Sequence, residues 1–424
     1  MAQKTKQWAA IVMMVALFAM IAFVTNLCTP MATIIKNQGE ISNVLAQIGN
    51  YGNFVAYLVM GIPAGMLIAK FGYKKTALIG LAIGILGIAI QWYSGQIENP
   101  KENLGLVFGV YLVGAFIAGF CMCILNCVVN PMLNILGGGG NAGNQLIQTG
   151  GVFNSTAAVC CYILMGALIS DATKAKISDA TPALMIALGI FILAFIIIAM
   201  TKIEEPEQAP VEVSLIKGAM SHRHFALGAL AIFLYMGIEV GVPNFVQQYL
   251  TNEMMIPAGT VGMLVAVYWF MMLIGRFVGA SIGGKVSSRT MITTVSIATL
   301  ALVLFGMFAP TDVLVAFPGV DWGSLTVVWQ DVPVGIFAFL LVGLCTSVMW
   351  GGIFNMAVEG LGKYTAIASG IFMTMVFGCA VMMFIQASVA DAVGYIQSYW
   401  VVVFCAAYLL FYALVGSRVS KREE

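Results

Sequence analysis

Apolar stretches long enough to cross a bilayer follow one another along nearly the whole chain, separated by short polar interruptions. A membrane-spanning helix needs roughly 20 such residues, so this pattern narrows the possible folds sharply. A soluble domain could not bury a chain of 424 residues that is 61% hydrophobic and 9% charged, with mean hydropathy +0.98. A transmembrane β-barrel would instead alternate lipid and lumen positions in segments of about ten residues. No such alternation is present, and the expected fold class is an all-α membrane protein of twelve transmembrane helices.

Those helices are expected at 8–35, 43–69, 76–94, 105–136, 143–170, 181–202, 224–250, 259–284, 288–309, 333–359, 365–390 and 395–417. The first apolar run, Trp8 to Cys28, is too long for a signal-peptide core and is expected to be retained as a helix. An even number of crossings puts both termini on one side. With that side taken as the cytoplasm of a bacterial inner membrane, fourteen Lys and Arg fall inside and four fall outside, namely Lys36, Lys101, Lys174 and Lys176. Arg276 stays within a helix. The asymmetry is the positive-inside pattern, which a miscount by one helix would invert. The longest charged interruption, 203–223, carries Glu204, Glu205, Pro206 and Glu207. It divides the chain into an N-terminal six-helix bundle (1–202), a cytoplasmic linker and a C-terminal six-helix bundle (224–424). The loop 310–332 holds Asp312, Asp321 and Asp331 with no Lys or Arg and is expected outside.

A formal net charge of +1 offers no field for nucleic acid. The nine cysteines lie in apolar stretches without metal-ligand spacing and read as reduced core residues, so neither a metal nor a cofactor is expected. No His/Cys/Asp constellation suggests an enzyme. No sizeable soluble output domain suggests a receptor, although a membrane sensor remains an alternative.

Polar side chains within spanning helices must find a partner or face water, so those at helical spacing mark a cavity face. The first helix offers Asn26, the second Gln47 and Asn50, and the fourth Asn126, Asn130 and Asn134 at i, i+4, i+8. The fifth offers Gln148 and Asn154, and the C-terminal half offers Tyr235, Glu239, Asn244, Tyr268, Trp269, Trp350 and Asn355. One amide alone can equally join two helices. A set drawn from both halves favours a wet central cavity. Amides that donate and accept, beside flat aromatic faces, suit a neutral polyhydroxylated ligand, whereas Arg276 alone is a poor basis for binding an anion.

Glu239 stands 15 residues after His224. That is roughly 22 Å along a helix of ~40 Å, close to the bilayer midplane. It is the acid expected to couple transport to a proton or sodium ion, or to accept a sugar hydroxyl; the bland alternative is a structural acid paired within the bundle. Arg276 is expected to act at a gate, capping carbonyls or pairing with an acid near the cytoplasmic ends such as Glu359. Asp391 and Glu359, at helix ends, read as anchors or gate contacts.

Several motifs carry a family resemblance. Leu125-Asn126-Cys127-Val128-Val129-Asn130-Pro131, Tyr235-Met236-Gly237-Ile238-Glu239-Val240, Tyr268-Trp269 followed by Gly275-Arg276-Phe277, and Ser347-Val348-Met349-Trp350 followed by Glu359-Gly360-Leu361-Gly362 are similar to the fourth, seventh, eighth and tenth helices of the fucose permease and glucose/galactose transporter branch of the major facilitator superfamily. The resemblance implies a 6+6 fold, a neutral sugar substrate and alternating access. A monomer in the lipid bilayer is expected. Two departures stand out. Fucose permease uses acids in its first and fourth helices, where this chain has Thr29 and Asn126, so its mode of proton coupling is not carried over. The superfamily's loop motif between the second and third helices reads Gly65-Met66-Leu67-Ile68-Ala69-Lys70-Phe71-Gly72-Tyr73-Lys74-Lys75, with Ala69 where an aspartate is common. Lys70 and Lys74 are expected there as part of a cytoplasmic latch between the halves. The remaining rivals are an uncoupled or sodium-coupled sugar carrier and a drug exporter, the last of which would carry more acids in a more apolar cavity.

Overall fold

The computed structural model describes all residues except 1, 99–101, 138–139, 170–173, 202–212, 283–285, 323 and 420–424. The first ten residues of the expected linker, 203–212, and Lys101 therefore lie outside the described residues. Among the described residues, eleven helices are long and apolar enough to cross a membrane. One of them, Ile48–Ser94, has 47 residues. At 1.5 Å per residue it would reach roughly 70 Å, more than twice a hydrocarbon core, so it must contain two crossings.

Its break falls at Gly72, with φ 79° and ψ 173°, a region that glycine enters without steric cost. Contacts with the fourth span, Leu104–Leu136, show that the chain reverses there. Gly52 meets Leu112 while Gly119 meets Asn53 and Ala56, so the first arm runs parallel to the fourth span. Gly80, Gly84 and Gly87 meet Ile124, Cys121 and Ala118 in descending order, so the second arm runs antiparallel to it. The count is therefore twelve crossings.

In order, the other crossings lie in helices Ala2–Gly39, Gly140–Leu168, Thr181–Met200, Arg223–Asn252, Ala258–Ile282 and Ser288–Phe308. The tenth crossing is split into Val334–Thr346 and Met349–Val358, the eleventh into Thr365–Met375 and Gly378–Val393, and the twelfth runs Trp400–Phe411 into a wider turn ending at Gly416. The two splits were not expected from an unbroken apolar pattern. Broken helices are tolerated at membrane depth where neighbours satisfy the freed backbone groups.

The halves meet along two long seams. The fifth and eighth spans touch at Gly166 with Ala258 and Gly259, at Gly262 with Tyr162, and at Gly151 with Arg276. The second and eleventh touch at Gly61 with Thr374 and at Gly370 with Ile62. Small residues at such crossings let backbones approach, which replaces the hydrophobic drive that lipid does not supply. The sixth span turns Leu193, Ile196 and Ile197 outward, as a lipid-facing helix should.

The loop 310–332 is not irregular. Strands β1, Leu314–Asp321, and β2, Thr326–Pro333, pair antiparallel in register from Leu314 with Pro333 to Asp321 with Thr326. The hairpin leans on the start of the eighth span, where Gly319 abuts Thr260 and Trp322 abuts Gly259.

Candidate functional site

Glu239 lies in the seventh span, partly accessible, at the centre of a polar knot that joins three helices of the C-terminal half. Tyr268, from the eighth span, donates its hydroxyl to the Glu239 carbonyl at 3.0 Å and lies 3.2 Å from Thr346 Oγ1. Tyr235, one helical turn before Glu239, donates to the Thr346 carbonyl at 3.4 Å. Thr346 closes the first segment of the split tenth span, where terminal carbonyls lack an intrahelical donor. The eighth span comes this close because residue 343 is glycine: a Cβ there would sit 2.1 Å from the Tyr268 carbonyl oxygen.

The Glu239 carboxylate lies near the Tyr235 hydroxyl and in the field of the Arg276 guanidinium. Aromatic faces surround it. Trp350 tilts against Tyr235 with ring centroids 6.2 Å apart, and Trp269 stands edge-on to Tyr268 at 5.4 Å. Trp269 also stacks on Tyr162 of the fifth span, at 6.4 Å and 21°. The Trp269 indole nitrogen and the Tyr162 hydroxyl are both buried without a protein partner.

Arg276 crosses to the other half. Its Nη1 donates to the Gly151 carbonyl and, at 3.4 Å, to Asn154 Oδ1, both on the fifth span. Asn154 in turn donates to the Phe18 carbonyl of the first span at 2.9 Å. Glu359 is therefore not the partner of Arg276. Arg276 stands six residues before the helix end at Ile282, roughly 9 Å inside, whereas Glu359 is exposed beyond a helix end. The Glu359 backbone carbonyl instead contacts His224 Nε2 at 2.9 Å.

In the N-terminal half, Asn126 donates to the Tyr57 hydroxyl at 3.0 Å and to the Met122 carbonyl at 3.1 Å, and Asn130 donates to the Asn126 carbonyl at 3.1 Å. Asn126, Asn130, Gln148 and Asn154 are all half-exposed, and Asn355 is exposed. The Asn134 side chain lies outside the described residues. Asn26 bonds the Ala22 carbonyl of its own helix at 2.8 Å and is nearly buried.

Gln47, Asn50 and Asn244 are assembled elsewhere. Gln47 Nε2 donates to Asn244 Oδ1 at 3.2 Å, and Asn244 Nδ2 returns a bond to Gln47 Oε1 at 2.8 Å. Asn50 and Gln248 each donate into the pair, at 2.6 and 2.9 Å, and all four side chains are fully buried. This amide cluster seals the two halves together on the side away from the chain termini. Beyond it lies a second layer. The Asp391 carboxylate accepts from the backbone N–H groups of Asn43 and Val44 at 2.8 and 3.1 Å, capping the short helix Asn43–Ala46 from the opposite half. Tyr395 donates to Asn43 Oδ1 at 2.7 Å, Lys36 donates to the same oxygen and to Tyr395, and Asn252 donates to Tyr395 at 3.1 Å. Burial pushes the Tyr395 hydroxyl up to about 12, so it remains a donor. Tyr395 was not among the expected site residues, because nothing local in the sequence pairs it with Asn43, 352 residues away.

Lys74 donates to the Ala199 and Thr201 carbonyls at 3.0 and 2.7 Å, which caps the sixth span within its own half. Lys70 is exposed, with its ammonium 5.2 Å from the Phe71 ring centroid. In this conformation those bonds fix the turn at Gly72 rather than span the two halves.

Twelve crossings in two halves, a carboxylate midway along a spanning helix and long seams of small residues between the halves are the architecture of a polytopic transporter. The sequence signature of the Major Facilitator Superfamily matches residues 9–384, and the chain belongs to that superfamily. It is similar to the "Glucose/galactose transporter" of Brucella abortus, 27% identical over 418 residues covering 96% of this chain and 94% of that protein. It is 26% identical over 438 residues to the "Putative glucose/galactose transporter" of Helicobacter pylori, covering 100% of this chain and 99% of that protein. The "L-fucose-proton symporter" of Escherichia coli is 23% identical over 439 residues, covering 96% and 92%. Among solved structures, the transporter FucP in its outward conformation matches with TM-score 0.69 and 20% identity, covering 96% of this chain and 99% of that one. A D-xylose-proton symporter matches with TM-score 0.70 and 11% identity, covering 97% and 98%; these likenesses show the fold. The family and these relatives are transporters, not enzymes.

Proposed function

We propose that this protein imports a neutral monosaccharide across a bacterial inner membrane, by alternating access and with a proton coupled through Glu239. The observation that carries the reading is the surround of Glu239. A membrane-embedded carboxyl bordered by the hydroxyls of Tyr235 and Tyr268 and the indoles of Trp269 and Trp350 provides acceptors and flat apolar faces for a sugar. Half-exposed amides at Asn126, Asn130 and Gln148 add donors from the other half. The names of the glucose/galactose and fucose relatives support the same class of substrate. The sealed amide cluster at Gln47 and Asn244 then closes the outer side, and both termini lie in the cytoplasm.

A carboxyl couples transport when it is charged on one side of the cycle and neutral on the other, whereas exchange requires only that loaded carriers reorient. In liposomes, wild-type protein should accumulate a sugar from a panel of neutral hexoses when a proton gradient is imposed. Glu239→Gln should lose that accumulation while retaining equilibrium exchange, because Gln keeps the size and hydrogen-bonding reach without a titratable proton. Proton-driven accumulation by Glu239→Gln at the wild-type level removes Glu239 from this role, and accumulation driven by sodium alone replaces the proton.

A further inference from the structure

Arg276 is placed between two competing sets of acceptors. On its own half it faces the Glu239 carboxylate, and across the interface it donates to the Gly151 carbonyl and to Asn154 Oδ1 at 3.4 Å. Asn154 extends the link to the first span through the Phe18 carbonyl at 2.9 Å. The guanidinium lies over a glycine that leaves it room: a Cβ at Gly151 would meet Arg276 Nη1 at 3.0 Å, Cδ at 3.2 Å and Cζ at 3.3 Å.

We infer that Arg276 is the positioning residue that converts the charge on Glu239 into the grip of the eighth span on the fifth. A guanidinium in the membrane interior must be compensated wherever it sits. While Glu239 is ionised, its carboxylate draws Arg276 toward the seventh span. Once Glu239 binds a proton that attraction is lost, and the Gly151 carbonyl with Asn154 becomes the better set of acceptors. The proton therefore tightens the contact between halves through one side chain that rotates between two partners. The other groups facing Glu239 do not substitute for it. Tyr235 from the same helix, Tyr268 from the eighth span and Cys379 from the eleventh are neutral in their ordinary forms, as is Cys345 of the tenth, which lies near Tyr268. Arg276 supplies the cation.

This inference rests on Glu239 as the coupling carboxyl, so its test includes Glu239→Gln as a separate control. Sugar exchange would be measured against pH in liposomes for wild type, Arg276→Gln and Gly151→Ala. Arg276→Gln removes the cation that favours ionised Glu239 and should move the midpoint about one pH unit alkaline, a tenfold change in proton affinity. Gly151→Ala leaves both charges in place but crowds the guanidinium off the fifth span and onto Glu239. It should move the midpoint in the acid direction. A charge that merely neutralises Glu239 would leave Gly151→Ala at the wild-type midpoint, and that result, or two shifts of the same sign, overturns the inference. Should Gly151→Ala fail to fold, Asn154→Ala removes an acceptor on the fifth span and carries the same expected acid shift and the same overturning result. If Glu239→Gln keeps proton-driven accumulation, the coupling reading itself fails, independently of the two midpoints.

Discussion

At the scale of single residues, the chemistry of the polar positions was legible and their partners were not. Asn126, Asn130 and Gln148 are half-exposed, as a cavity face requires, whereas Gln47, Asn50 and Asn244 have the same kind of side chain and are fully buried in one another's hydrogen bonds. Spacing along a helix fixes which face a residue occupies, but the partner of Gln47 is 197 residues away. The two groups should respond differently to substitution. Gln148→Ala removes a half-exposed amide of the proposed sugar site and should weaken sugar binding about tenfold, equivalent to ~1.4 kcal/mol, with thermal stability unchanged. Equilibrium binding and a melting curve check both halves of that expectation; unchanged affinity with a lowered Tm would make Gln148 a packing residue. Gln47→Leu instead leaves Asn244 buried without its reciprocal partner, which costs about 1–3 kcal/mol in the sealed conformation only. It should shift the population toward the conformation open at that end, read as faster alkylation of a cysteine introduced at Thr33, which lies beside Gln247.

Elements were legible as far as hydropathy carries the signal. Twelve apolar stretches predict twelve crossings, and even the reversal at Gly72 follows from a Lys-rich, Gly-containing interruption. The splits at Thr346–Met349 and Met375–Gly378 leave no trace in hydropathy, because the residues around them are as apolar as the rest. The hairpin was missed for the opposite reason. Charge marks residues 310–332 only as a loop, whereas Leu314 to Val320 and Thr326 to Val332 are rich in β-branched and aromatic residues flanking a turn. The split tenth span also yields a prediction. Gly343 lets it approach the eighth, and Gly343→Ala would put a methyl 2.1 Å from the Tyr268 carbonyl oxygen, a clash with rigid backbone. The two spans must separate, which should cost about 1–3 kcal/mol and loosen the Tyr268 bond to Thr346. A lower Tm together with weakened sugar binding is expected, and a variant as stable and as tight as wild type would show that this contact does not shape the site.

For the whole molecule, orientation decides what every contact means. In the orientation proposed from the charge asymmetry, the linker, both termini and the Gly72 turn lie in the cytoplasm and the β1–β2 hairpin lies outside. With that orientation, the Gln47–Asn244 pair and the Asp391 cap join the halves at the outer end, and Glu359 is exposed at the cytoplasmic end of the tenth span. The prediction is tested in a background with native cysteines replaced, since Cys160 is exposed and would label by itself. Leu325 stands 77% exposed between the two strands, and Ser214 is exposed within the central linker. Leu325→Cys should react with a membrane-impermeant maleimide added to intact cells, because a hairpin of alternating strand residues anchored on the eighth span has no route through the bilayer. Ser214→Cys should react only after the membrane is opened. The opposite pattern would invert the protein in the membrane. The sealed amide cluster would then close the cytoplasmic face, and the sugar would meet Glu239 from outside in this conformation.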